Sequence, residues 1–385
     1  MEINFSDGKM DIELDARIDT NNASELGEQA LSALNSHPGT QKVVFNAGGI
    51  EYISSAGLRM LLTVKKKVKD TSIIEVSSEV YEILETTGFS QMIETRKKFK
   101  TISVEGCPVI GKGACGTVYR TDPETVVKVY HEPELEKVMN ERETARRAFV
   151  LGVPTAISYD IVKVGDSYAS VFEMLESDSM CELLAENPDK LDEYVDAFVC
   201  TMKQIHDIDA AGEGFPSFKD KMYRFLEEIR DQFTEEECVK VRSMIDEVPD
   251  STHLMHGDLH PGNIMCLKGE YLLIDLERLS MGAPVLEHAM TYISLCGFAE
   301  FDPEDSIKFF ASPREVIMYF FKESIKRYMG FTDEKDFDDY MIKIRMLGYI
   351  KGINSMLISK KLKNDRYRQA FEFWKKELKE MLAAQ

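Results

Sequence analysis

The stretch HLMHGDLHPGNIMCLKGEYLLIDLE, residues 253–277, limits the fold more than any other part of the chain. It sets His256, Asp258, Asn263 and Asp275 between apolar runs. Burying such groups without partners costs roughly 1–3 kcal/mol for a neutral group and more for a charge. A loop that gathers these side chains, followed directly by the apolar strand YLLID, accommodates them. The chemistry that needs this set is then the question.

At 385 residues the chain exceeds one ordinary core, and two or three domains are expected. With 44% apolar and 30% charged residues it reads as a soluble globular protein. No apolar run approaches the roughly 20 residues that span a bilayer. The start, MEINFSDGKMDIELD, lacks the basic and apolar parts of a secretory signal. Seven cysteines without CxxC spacing point to free thiols in a reducing compartment, so a cytoplasmic location is expected and a zinc site is not. The first hundred residues hold 12 basic against 15 acidic side chains, so nearly all of the net −20 falls on the remainder. That body repels polyphosphate backbones, which argues against nucleic-acid binding. It is compatible with a cationic substrate, although solubility explains the same charge.

Residues 1–98 alternate strand and helix patterns. KMDIELDARID places Met10, Ile12, Leu14, Ala16 and Ile18 on one face of a strand. NASELGEQALSAL spaces Leu26, Ala30 and Leu34 for a helix, with Asn22 or Ser24 able to cap it. KVVFNAG and SIIEVSS read as strands. SSAGLRMLLTVKKKVK reads as a helix with its basic residues at the end that suits the dipole. SEVYEILETTGF is a helix stopped by Gly88. A polar, basic connector, ETRKKFKT, follows this small α/β unit. Residues 99–175 are strand-like, β-branched and punctuated by glycine, and residues 176–385 are mostly helical. A β-rich lobe before a larger helical lobe implies a ligand cleft between the two.

Three pieces of the second unit belong together. In GKGACGTV, Gly111, Gly113 and Gly116 precede Val118, and a hairpin of this kind brings backbone N–H groups against phosphate oxygens. Strand signals follow it where a dinucleotide fold would start a helix. In TVVKVY, Lys128 shares a face with Val126 and Tyr130. Such a lysine suits an edge strand as well as a nucleotide phosphate. Its carboxylate partner comes from LEKVMNERETARRAFVLG, where Glu141 lies on the inward stripe of Val138, Ala145 and Ala148, while Glu143 falls with Arg147 on a more exposed side. Phosphoryl transfer to a hydroxyl also needs a carboxylate to take the proton and oxygen ligands for magnesium on the triphosphate. Asp258 fits the first role, Asn263 and Asp275 the second, and His256 reads as a brace for the loop.

HGDLHPGNIM…LLIDLE resembles the aminoglycoside phosphotransferase and choline kinase group, a branch of the protein-kinase-like fold. The resemblance implies an α+β bilobal domain over residues 99–385. It makes Asp258 the catalytic base, Asn263 and Asp275 the Mg2+ ligands, Lys128 and Glu141 the ion pair, and residues 111–118 the loop over the ATP phosphates. VFEMLES resembles the inter-lobe hinge, with backbone groups around Glu173 and Leu175 on adenine. GAPVLEHA is similar to the segment after the metal aspartate, with Glu287 where an aspartate is usual, and Glu287 is read as structural. ARIDTNNASEL, YISSAGLRMLL and VYEILETTGF resemble a STAS domain, the α/β fold of anti-sigma factor antagonists, over residues 1–98. That family's phosphorylation switch falls on Ser55, with Ser54 where aspartate is common; a helix cap explains a hydroxyl there equally well.

These features lead to an ATP- and magnesium-dependent phosphotransferase acting on a small hydroxylated molecule, carrying a STAS module for a protein partner. The alternative is a regulatory protein that captures an anti-sigma factor, its kinase-like part sensing nucleotide or phosphorylating a protein serine such as Ser55. Tyr367, Phe371 and Trp374 are expected to pack helices.

Overall fold

A computed structural model describes the whole chain apart from residues 114, 133, 360 and 385 and the side chain of residue 361. Two compact units result, Met1–Ser103 with Ile161–Asp166, and Val104–Asp160 with Ser167–Gln385. Residues 161–166 group with the first because the connector bonds to them: the Ile102 N–H donates to the Lys163 carbonyl at 2.9 Å, and the Lys163 N–H to the Lys100 carbonyl at 2.9 Å.

In the first unit the strands Glu2–Ser6, Lys9–Glu13, Lys42–Asn46, Asp70–Val76 and Glu94–Lys97 form one sheet in that order. The first pair is antiparallel and the others are parallel. Parallel pairing requires crossovers, and the helices Ala23–Ser36, Ser55–Lys67 and Ser78–Thr86 lie in the intervening chain. Met10, Ile12, Val43, Phe45 and Ile73 cluster with Leu26, Ala30, Leu61, Val64 and Leu84 from these helices. Val44 is buried outside that cluster, as period-2 alternation demands. Gly88 ends the third helix at φ 70°. One expectation needs correction, since the alternation from Met10 does not run unbroken to Ile18. The strand ends at Glu13, Ala16 is exposed, and Arg17–Ile18 pairs separately with Tyr52–Ile53. The cause is the Ala16 carbonyl, which accepts from Glu51 N–H at 2.8 Å and so draws the chain off the main sheet. Asn22 occupies the cap position of the first helix, but its side chain bonds back to Asp19 N–H and the Arg17 carbonyl instead.

The β-rich lobe orders its strands Ser158–Val164, Ser167–Glu173, Thr125–Tyr130, Gly116–Arg120 and Val109–Lys112. Leu135–Val150 is its helix, and it buries the Val138, Glu141, Ala145 and Ala148 stripe. The helical lobe is built around Glu334–Ile358, which packs against Pro284–Tyr292, Phe218–Ile229 and Asp365–Ala383. Trp374 is fully buried, donates its indole N–H to the Gly297 carbonyl at 3.0 Å, and packs with Phe371 in the main core. Among the described residues no helix is long and apolar enough to cross a membrane.

Three of the seven histidines of this chain, His206, His256 and His288, are buried in the helical lobe and hydrogen-bonded there. Burial, with His206 close by, holds the His288 imidazole well below its ordinary range. The unfolded chain therefore binds that proton more tightly. The stabilisation is complete above pH about 6.5 and is lost as the pH falls below it. Denaturant titrations at pH 7.5 and 5.5 are expected to show this loss and a weaker one in His288→Gln. The same loss in both proteins would contradict the assignment.

Candidate active site

Lys128 stands in the middle strand of the lobe, opposite Val118 on one side and Ser170 on the other. Its ammonium donates to Glu141 Oε1 at 2.8 Å and to Asp275 Oδ1 at 2.7 Å. Burial works against the charge, and Asp275 and Glu141 outweigh it, so the amine is held above its ordinary pKa. Glu143 instead pairs with Arg146 at 3.0 Å and Arg147 at 2.8 Å.

The glycine hairpin joins Val109–Lys112 to Gly116–Arg120, and the Gly113 N–H donates to the Gly116 carbonyl at 2.9 Å. Gly116 has no room for a side chain, because a Cβ there would lie 2.5 Å from the Val129 carbonyl oxygen. Gly111 and Gly113 have that room. Ala114, within the same expected loop, lies outside the described residues. The Cys115 thiol donates to Glu277 Oε1 at 3.6 Å. Burial, then Glu277 and Asp275, push it up to about 11, which leaves an unreactive thiol.

Glu173 closes its strand, and its carboxylate accepts the Ile157 N–H at 2.8 Å. The Met174 N–H donates to the Glu124 carbonyl at 2.7 Å, and the Leu175 carbonyl accepts the Ser177 N–H at 2.9 Å. The segment leaving the sheet is thus fastened at both ends.

Asn263 and Asp275 are placed by one hairpin. Ile264 faces Leu273 in register, and the Ile274 N–H donates to the Asn263 carbonyl at 3.0 Å, so both residues sit at the same end of it. Asp275 has φ 64° and ψ 52°, a conformation that L-residues adopt at a cost. The Asn263 side-chain nitrogen donates to the Asp258 carbonyl at 2.9 Å, which leaves its oxygen for another partner. Asp258 Oδ1 accepts the Ser294 hydroxyl at 2.8 Å, and Oδ2 lies 3.2 Å from Arg278 Nη1. Burial raises the Asp258 carboxyl, but Arg278, with His260 and Ser294, outweighs it and holds the group below the ordinary carboxylate range.

The loop is braced from beneath. His256 is fully buried, and its Nε2 bonds the Ile274 carbonyl at 3.0 Å. The backbone N–H groups of His256 and Gly257 both donate to the Glu287 carboxylate, the second at 3.0 Å. Gly257 sits at φ 77°, and a Cβ there would lie 2.8 Å from the Arg278 carbonyl oxygen. Ser294 and Arg278 were not evident as site residues from the sequence. Ser294 lies in a π-helical turn, Ile293–Gly297, a widened turn common at functional sites. Its one sequence signal is a hydroxyl inside the apolar run MTYISLCGFA.

An ammonium shared by two carboxylates across a β-rich and a helical lobe, facing an acid and amide loop, defines a kinase-like phosphotransferase unit. The chain belongs to the Phosphotransferase enzyme family, whose model matches residues 107–313, and residues 1–102 match the STAS domain. A protein described as an anti-sigma factor antagonist, BtrV of Bordetella bronchiseptica, is 33% identical over 87 residues, covering 22% of this chain and 73% of that one. The GDP complex of wild-type aminoglycoside 2′-phosphotransferase-IIIa superposes with a TM-score of 0.50 at 14% identity, over 80% of this chain and 98% of that one. A thermostable mutant of the aminoglycoside phosphotransferase APH(4)-Ia, in its apo form, gives 0.50 at 12% identity, over 72% and 94%. At these identities the structural likeness establishes the fold alone.

Proposed function

We propose that residues 99–385, with lobes at 99–175 and 176–385, transfer the γ-phosphate of magnesium-bound ATP to a hydroxyl of a small molecule. Residues 1–98 form the module that docks a protein partner. The observation that carries the first reading is the Lys128 ammonium at 2.8 Å from Glu141 and 2.7 Å from Asp275, beside a glycine hairpin. The GDP bound by the structural relative supports a nucleotide in the equivalent cleft.

The donor set suits magnesium, because the Asn263 amide oxygen and the Asp275 carboxylate are hard oxygen ligands. No cluster of three His, Cys, Asp or Glu side chains suited to a metal occurs among the described residues. Magnesium generally keeps several waters and binds through one or two oxygen ligands of the protein together with substrate phosphates. When bound, it neutralises charge on the transferring phosphoryl group. In this reading Lys128, fixed by Glu141, holds phosphate oxygens, the hairpin of residues 111–118 covers them, and backbone groups at Glu173 and Leu175 hold adenine. Asp258, steered by Ser294 and Arg278, would orient the acceptor hydroxyl and take its proton as the new P–O bond forms and the bond from the γ-phosphorus to the bridging oxygen breaks, releasing ADP. The test is phosphorylation of a metabolite panel by the full chain with ATP and magnesium, with nucleotide binding measured by calorimetry. A chain that binds no nucleotide would end this reading.

A second observation favours a switch in the first unit. The hydroxyl of Ser54 accepts the Ala56 and Gly57 N–H groups at 3.2 and 3.4 Å, so Ser54 is the cap and Ser55 is left exposed at the first helical position. A phosphate there meets a helix N-terminus and adds nearly two charges to an exposed face. With the BtrV likeness, this supports Ser55 as a phosphorylation site that controls capture of an anti-sigma factor-like partner. Phosphopeptide mapping after incubation with ATP is expected to find label on Ser55. An unlabelled protein removes phosphorylation of Ser55 by this chain itself.

A further inference from the structure

The chain carries 67 acidic against 47 basic residues, and its cations are commonly paired, as Arg327 is with Asp192 and Asp196. The helix Phe218–Ile229 departs from this beside the candidate active site. Its first turn is fastened to the segment after Asp275: the Met281 N–H donates to the Pro216 carbonyl at 2.8 Å, and Ser217 bridges to Met281. Lys221 Nζ donates to the Ser280 hydroxyl at 2.5 Å, and that hydroxyl donates to the Arg278 carbonyl at 2.7 Å. Arg278 in turn reaches Asp258. The Lys221 ammonium is thereby tied through Ser280 to the backbone of Arg278, the residue whose side chain reaches Asp258. Arg224, three residues on, shares its helix face.

Arg278 is offset by Asp258 and by Glu277 at 3.6 Å. Lys221 and Arg224 have no carboxylate partner among the described residues. Burial, followed by the charges of Arg224 and Arg278, pushes the Lys221 amine down to about 8. Arg224 is exposed to solvent, whereas holding the half-buried Lys221 ammonium near like charges without a counterion is destabilising, and a fold that does so next to Arg278 is repaid when an anion binds. A polycationic acceptor would meet repulsion at the same place. The overall negative charge of the chain thus misleads about this site.

We propose that the acceptor hydroxyl belongs to a small molecule that also carries an oxyanion group, a phosphate or a carboxylate, and that Lys221 and Arg224 hold that group. This deepens the phosphotransferase reading and rests on it only for the word acceptor. The test measures binding, without turnover, to the full chain in the presence of ADP and magnesium. Four matched probes are titrated by calorimetry: glycerol, 3-amino-1,2-propanediol, glycerate and glycerol 3-phosphate. The two anions are expected to bind about tenfold or more tightly than the other two, the worth of one charge-assisted contact. The margin between glycerate and glycerol 3-phosphate tells carboxylate from phosphate. In Lys221→Met with Arg224→Gln the preference is expected to vanish, and in Lys221→Arg with Arg224→Lys to survive. Added salt should erode it in the unmodified chain, which needs no variant to fold. Equal affinities for the four probes, preference for the amine, or no binding of either anion overturns the proposal. Failure of the phosphotransferase reading shows separately, as absence of nucleotide binding.

Discussion

Asp258→Ala is expected to lower phosphotransfer by about a hundred- to ten-thousand-fold, the range that a positioned proton acceptor contributes. The alanine removes the oxygen that Ser294 orients at 2.8 Å and the counterion of Arg278 at 3.2 Å. Neither loss touches Lys128, Glu141 or Asp275, so nucleotide affinity should change far less than turnover. Asp258→Asn keeps the shape and both neighbours while removing the basic oxygen, and its turnover should fall to a similar level. Steady-state kinetics beside nucleotide titration separates the two effects. A variant with the parent's kcat/KM would remove Asp258 from the chemistry and leave the ion pair to be explained another way.

Glu287→Ala is expected to destabilise the helical lobe by about 2–5 kcal/mol. Glu287 is fully buried, and its two oxygens accept the N–H groups of His256 and Gly257, the residues immediately before Asp258. Alanine would strand both donors where water does not reach. Glu287→Gln keeps one good acceptor and should cost less. Glu287→Asp, one methylene shorter, tests whether the loop depends on the reach of the carboxylate. Chemical denaturation gives the energies directly. An unfolding midpoint for the alanine variant within error of the parent's would show that the carboxylate is not a brace.

The parts of this architecture that announce themselves in sequence have strong local periodicity. Leu26, Ala30 and Leu34 are spaced for one helix face and are buried on it. Val138, Ala145 and Ala148 likewise mark the stripe on which Glu141 lies, and that stripe alone separated Glu141 from Glu143. The Gly88 stop was equally readable. Where a carbonyl was claimed by a distant segment, pattern failed: Ala16 continues an alternation on paper, but Glu51 draws it away. The site divides in the same manner. Residues within 253–277 are close in sequence and legible as a set. Ser294 and Arg278 act through tertiary placement, as would Lys221 in the proposed acceptor site. A π-helical turn, a salt bridge and a hydroxyl tether leave little trace in composition or spacing.

An ammonium offers three protons. At Lys128, one points to a carboxylate of the β-rich lobe and another to a carboxylate of the helical lobe. A single proton is left over. In the proposed reading a triphosphate would gain more than that one contact only by luring one of these carboxylates away, so the junction between the lobes and the grip on a ligand would draw on the same three bonds. Tightening one slackens the other.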